Sequence, residues 1–427
     1  LPETYVPYQK LDTATLFNGI KLYSEFETEE GGVATQERTD DTSFALELRM
    51  RVRVPRPNTD LESLAGINPA LPQVLPALPQ LVQSAKVSGF YHALYERKVK
   101  FMQSRLNRLD RLLSRHNFYD CETILEMEHP ETNRKALFIQ AEMDVDGDGS
   151  DGDRQLKVDQ TSSTFQPFTS YRWAKRTQHP NEFLADRTAK LQALKEEYKV
   201  KGLSAARNRE LRDSIAATER EIADLKQYSY LLSRADPFIV LPGFMVAQAG
   251  HPYRPQLGDY AVVIHGDKIY PAIFGDIGPS MKMGEASLRI CREIDPKSGV
   301  YRRPESDLVV TYIVFPGTAE QPFGPPNLPR YKQRCEELLN EIGGFQGTMI
   351  EWEDLTMPVP SPTPTPSPTP ATTASPVAAV SPMASPESSP ATSPAPHTLF
   401  PLPSASPAAS VPVQGGSVLP GSPSGSQ

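Results

Sequence analysis

The stretch 274–291, "FGDIGPSMKMGEASLRIC", holds two carboxylates nine positions apart, Asp276 and Glu285. Strand-like residues run into the first, a Gly/Pro-containing loop separates them, and an apparent helix follows the second. Aspartate before a Gly-Pro loop is ordinary turn chemistry. Glutamate in the first turn of a helix is favoured by the macrodipole. The other reading is a pair of carboxyls held on opposite sides of a gap.

The sequence upstream of this stretch reads as short apolar strands, "PFIVLPGFMVA", "GDYAVVIH" and "KIYPAIFGD", the last two joined through His265-Gly266-Asp267. Downstream, "DLVVTYIVFPG" reads as a further strand. "PRYKQRCEELLNEIGG" reads as a closing helix with a glycine pair as its C-cap. Three buried thiols are expected at Cys121, Cys291 and Cys335, which lack metal-ligand spacing.

Residues 181–233 predict an antiparallel helical hairpin broken at Gly202. Leu184, Leu191, Leu194 and Tyr198 mark its first helix. Leu211, Ile215, Thr218, Ile222, Leu225, Ser229 and Leu232 form a heptad seam on the second. Nearer the N-terminus, Asn18-Gly19 signals a β-hairpin. Residues 43–54 alternate as a half-buried strand, and a helix is expected over 83–115 after a proline-spaced stretch. From 357 to 427 the chain is rich in Pro, Ser, Thr and Ala and cannot bury a core, which predicts a disordered tail. The expected fold is β-rich α+β: a compact β-barrel-like core with an inserted antiparallel helical hairpin and a disordered C-terminal tail. The expected division is an N-terminal β/α region at 1–130, a core at 131–356 and the tail at 357–427.

A net charge of −8 and a pI near 5.5 argue against nucleic acid and favour a cationic partner. No apolar run reaches the roughly 18 residues that a membrane span needs. Leu1 in place of methionine predicts a processed N-terminus.

The segment "EMDVDGDGSDGDR" begins like an EF-hand loop at Asp144, Asp146, Asp148 and Gly149, but its twelfth position is Gln155. On a strand, Glu142, Asp144 and Asp146 share one face and repel one another unless cations neutralise them. A metal or an aminated sugar would serve. A solvated Asp/Gly turn explains Asp148 onward.

Two carboxyls flanking a gap are what glycoside hydrolysis needs, one donating a proton and the other activating water or attacking. A helix N-terminus lowers a carboxyl pKa, which suits Glu285 to the base; burial would suit it to the acid. The residues by themselves leave that assignment open. "GDYAVVIHGDKIYPAIFGDIGPSMKMGEASLRI" resembles the core of the fungal-type chitosanases, glycoside hydrolase family 75. Gly275-Asp276 and Gly284-Glu285-Ala286-Ser287 match its motif, with "AEMDVDGDG", "QTSSTFQPFTSY" and "DPFIVLPG" following the family's order. The specific part covers about 137–168 and 236–294.

The resemblance implies that Asp276 and Glu285 are catalytic. It implies an endo-acting enzyme that cleaves β-1,4 linkages of chitosan with inversion, needs no cofactor and is secreted or envelope-associated. Glu142, Asp144, Asp146 and Tyr260 are candidate substrate-binding residues, with Tyr270 and Trp173 as further stacking rings. The alternative is a non-catalytic wall or glycan-binding protein on the same core.

Overall fold

The computed structural model describes residues 9–11, 22–24, 52–106, 120–154, 157–158 and 161–356. Two short strands, β1 (Gln9–Leu11) and β2 (Leu22–Ser24), pair antiparallel, while the Asn18-Gly19 turn lies outside the described residues. So do most of the alternating run at 43–54 and the whole of 357–427.

The proline-spaced stretch is helical rather than a lead-in. After α1 (Leu61–Ile67) it forms α2 (Leu71–Val74) and enters α3 (Leu78–Ser84), with proline at the start of α2 and α3. There its missing N–H costs nothing. The expected helix over 83–115 is interrupted by β3 (Lys86–Val87) before α4 (Gly89–Leu106). Ser88 Oγ accepts from Phe90 N–H at that break. Residues 107–115 of the expected helix lie outside the described residues.

The core is a closed six-stranded barrel. Its strands are β5 (Lys135–Asp146), β8 (Phe238–Pro242), β9 (Tyr260–His265), β10 (Lys268–Gly278), β11 (Glu285–Ser287) and β12 (Glu305–Val314). The order is β11-β8-β10-β9-β12-β5, and β11 pairs with β5 to close it. Closure leaves no open edge in that ring. Strand β4 (Cys121–Glu128) extends the sheet by pairing with the first part of β5, from Lys135 to Ala141. It is covered on both faces and so lacks the alternation that would have marked it in the sequence. Strand β13 (Thr348–Met349) pairs with the start of β10.

Between β5 and β8 come β6 (Arg172–Ala174), α5 (Leu184–Tyr198), α6 (Ala205–Gln227) and β7 (Tyr228–Tyr230). Helices α5 and α6 are the expected hairpin. Leu211, Thr218, Ile222 and Leu225 of the seam are buried, but Ser229 and Leu232 lie beyond the helix. No residue of α5 is buried; Arg187–Glu221 (3.1 Å) and Lys195–Glu219 (2.7 Å) tie it to α6. The short α7 (Gly243–Val246) and α8 (Leu288–Ile294) follow β8 and β11, and α9 (Leu328–Glu341) lies between β12 and β13. All three cysteines are buried free thiols.

Candidate active site

One row of residues crosses four neighbouring strands. Asp144 of β5 is in register with Glu285 of β11, Glu285 with Val240 of β8, and Val240 with Asp276 of β10. Registered neighbours point to the same side of a sheet. Asp276 and Glu285 therefore share a face, with β8 between them and two strand spacings, about 9.5 Å, separating their backbones. On the opposite face, Ile239 and Ala286 are fully buried.

Glu285 thus lies in a strand and not in the first turn of a helix, as the sequence suggested. Its backbone pairs with both β8 and β5, and α8 starts only at Leu288. The macrodipole argument for a lowered pKa falls away. Burial instead raises the Glu285 carboxyl; Lys282 opposes the rise, while the charges of Asp144 and Asp276 add to it.

The glycine before each carboxylate is required by close approach. A Cβ on Gly284, whose φ is +79°, would stand 2.2 Å from the Glu142 carbonyl oxygen. A Cβ on Gly275 would stand 2.6 Å from both Leu231 Cδ1 and Phe238 Cβ. Gly275 also sits at the register shift between Phe274 and Asp276, a bulge that re-aims the end of β10.

Asp276 Oδ1 accepts from Ser170 N–H at 2.7 Å, Ser170 Oγ at 2.6 Å and Ile277 N–H at 2.8 Å. Burial raises its pKa, and these donors oppose the rise by favouring the ionised form. Ser170 falls in the segment "QTSSTFQPFTSY", but nothing in the sequence singled it out.

Lys282, also missed, sits in the loop leading to β11. Its Nζ lies 3.0 Å from Asp144 Oδ2 and 3.1 Å from Glu285 Oε1. Burial works against its charge, but the two carboxylates outweigh burial and raise its pKa. Arg303 holds Glu142 Oε2 at 2.8 Å and approaches Asp144 Oδ2 at 3.6 Å. The cations that the row Glu142, Asp144, Asp146 demanded are in part the protein's own. The loop is anchored from α4: Lys98 Nζ donates to Met281 O and pairs with Asp120 at 2.8 Å, and Asp120 accepts from Met283 N–H.

Several expected contacts are corrected by burial. Glu142 is 0% exposed and offers nothing to a polymer. Tyr260 is 3% exposed with its ring edge-on to Tyr331, and Tyr270 and Trp173 are buried as well. A ring with both faces covered has nothing to stack on a sugar. The EF-hand resemblance is also local. Asp144 joins the Lys282 pair, whereas Asp146 and Asp148 approach Asp276, with one carboxylate oxygen from each of the three within 4.8 Å of the others. These oxygens, hard donors, are the described residues suited to a hard cation. The solvated-turn reading of the loop's second half fails too. Asp151 is 5% exposed and, with Asp236, clamps Arg154. Asp153 accepts from Arg176 N–H, Thr177 N–H and Thr177 Oγ.

No helix among the described residues is long and apolar enough to cross a membrane. No protein of curated function matches the chain. The family model described as fungal chitosanase of glycosyl hydrolase group 75 matches residues 143–344, just under half of the chain. The match begins near the end of β5 and takes in the remaining barrel strands, the helical hairpin and the acids around Asp276 and Glu285. Over these residues the chain is similar to the fungal chitosanases of glycosyl hydrolase group 75, and the match supports a glycoside hydrolase that acts on a polysaccharide.

Proposed function

We propose that the protein is a secreted, endo-acting hydrolase that cleaves β-1,4 linkages of chitosan with inversion, Asp276 serving as the general base and Glu285 as the general acid. The observation that carries this reading is the register of both residues with Val240. Two strand spacings on one face suit carboxyls about 6.5–9.5 Å apart, the separation that leaves room for a water in inverting enzymes.

Local electrostatics support the roles. Asp276 has three donors on one oxygen and is the better stabilised anion. Glu285 has the Lys282 ammonium, which Asp144 shares, while burial, Asp144 and Asp276 all favour its protonated form. Water loses a proton to Asp276 as its oxygen attacks the anomeric carbon. Glu285 protonates the leaving oxygen as the glycosidic bond breaks. A polycation of glucosamine also suits an acidic chain of net charge −8.

The test is proton NMR of the first products from chitosan, together with the Asp276→Asn and Glu285→Gln variants. The reading expects initial α-anomer from the wild type and a loss of about 10²–10⁴ in kcat for each variant. Wild-type release of reducing ends by both variants, or an initial β-anomer, would sink it.

A further inference from the structure

Hydrogen bonds are shared unequally among Asp146, Asp148 and Asp276. Asp148 Oδ1 accepts from Gln166 N–H at 2.9 Å, and all three donors to Asp276 converge on its Oδ1. Asp146 Oδ1 accepts from Asp148 N–H at 2.8 Å. Asp146 Oδ2 is buried without a hydrogen-bond partner among the described residues, on a side chain belonging to a residue only 6% exposed. An orphaned carboxyl oxygen in that setting is costly and calls for a partner. Ordered water supplies such partners where several polar groups converge.

The geometry admits one water between two carboxyls. With legs of about 2.8 Å, a water closes a gap of up to 4.8 Å, the limit within the cluster, at an angle of roughly 118° or less. We propose that Asp146 is a positioning residue that holds, together with Asp276, the water that attacks the anomeric carbon. This inference rests on the Asp276/Glu285 reading above.

Three carboxyls so close do not all ionise. Asp146 is the most deeply buried of the three, and its Oδ2 has no donor to stabilise a charge there, so it is the one that keeps a proton. Its Oδ1 is taken by Asp148 N–H, so the proton resides on Oδ2. Asp146 then donates to one lone pair of the water. The water points a hydrogen at Asp276, and its second lone pair faces the anomeric carbon. As the new carbon–oxygen bond forms, that hydrogen passes to Asp276, the glycosidic bond breaks and the leaving oxygen takes the proton of Glu285. Asp146 keeps its own proton throughout, and no other reactant is needed.

The experiment compares Asp146→Ala and Asp146→Asn with wild type in the full chain, measuring kcat and KM on chitosan. Asparagine keeps a carbonyl for Asp148 N–H and puts an N–H where Oδ2–H stood; alanine has neither. We expect alanine to lower kcat about a hundredfold with KM within about threefold, and asparagine to recover at least about tenfold of that loss. Should alanine unfold the chain, Asp146→Leu, close in size and without a donor, replaces it. Four results overturn the inference. They are an alanine variant as fast as wild type, asparagine as impaired as alanine, a rise in KM at unchanged kcat, or micromolar calcium binding by wild type in calorimetry that Asp146→Asn abolishes. An inert wild type sinks the parent reading and this one with it, whereas an active wild type beside an equally active alanine variant sinks this one alone.

Discussion

Asp276 and Glu285 are in register with the same residue, Val240, on its two sides. Strand β8 is the spacer between them. The nine-residue sequence separation has no part in setting the gap, because the chain between them leaves the sheet and returns on the far side of β8. Four groups around the pair lead to measurable consequences.

Ser170→Ala removes the hydroxyl donor from Asp276 and leaves the Ser170 N–H in place. A hydrogen bond to the ionised form lowers a carboxyl pKa, so its loss raises the pKa of Asp276. A base must be ionised to act. The acid limb of the kcat/KM profile is therefore expected to move upward by about one pH unit, with activity near wild type on the alkaline side. An acid limb that stays in place would show that Asp276 does not control it.

Lys282→Met removes the cation shared by Asp144 and Glu285. Lys282 lowers the Glu285 pKa, so that pKa rises further without it. An acid must be protonated to act, and the alkaline limb of kcat moves to higher pH. Both carboxylates also lose a partly buried partner, and a fall in Tm of several degrees is expected in the same preparation. A profile in which the acid limb moves upward instead would make Glu285 the base and reverse the roles of the pair.

Asp148→Asn is expected to stabilise the protein in a pH-dependent way. Burial lifts the Asp148 carboxyl to about 7 from 3.8, with the charges of Asp276 and Glu285 adding to it. A raised folded pKa means that the native state holds its proton more tightly than the unfolded chain. That stabilisation is complete below about pH 4 and disappears as pH rises through about 7. Asparagine retains an acceptor for Gln166 N–H and carries no charge. Thermal melts should show a gain in Tm at pH 8 and little change at pH 4.

Arg154→Met tests the support behind the acidic loop. Arg154 donates through both terminal nitrogens to Asp236, at 2.7 Å each, and through Nε to Asp151. Both aspartate side chains are almost wholly buried, at 2% and 0% exposed. Removing one side of a buried ionic network leaves charges uncompensated, at a cost of about 3–5 kcal/mol. Denaturant unfolding should register that loss; a change below about 0.5 kcal/mol would place the network among those worth little.

Much of the barrel was legible because its strands carry local signals. Phe238–Pro242, Tyr260–His265, Lys268–Gly278 and Glu305–Val314 are short apolar runs bounded by turn residues, and all are strands. Gly275-Asp276 and Gly284-Glu285 were visible as motifs, each glycine being set by a backbone approach that admits no Cβ. Ser170 was invisible because serine is common in loops and its value comes from a partner 106 residues away. Glu142 and Tyr260 were misread because alternation along one strand says which residues share a face, but not what covers that face.

The sequence by itself determined the local elements, the acidic composition and the two glycine–carboxylate motifs, since propensity, patterning and backbone sterics act between near neighbours. Only the tertiary structure decided that Glu285 belongs to a strand, that Val240 separates it from Asp276, and that Asp146 and Asp148 gather around Asp276. Those relations depend on β11 pairing with both β8 and β5, and the β5 pairing joins segments more than a hundred residues apart. The charge states follow from burial, which no single stretch of chain encodes.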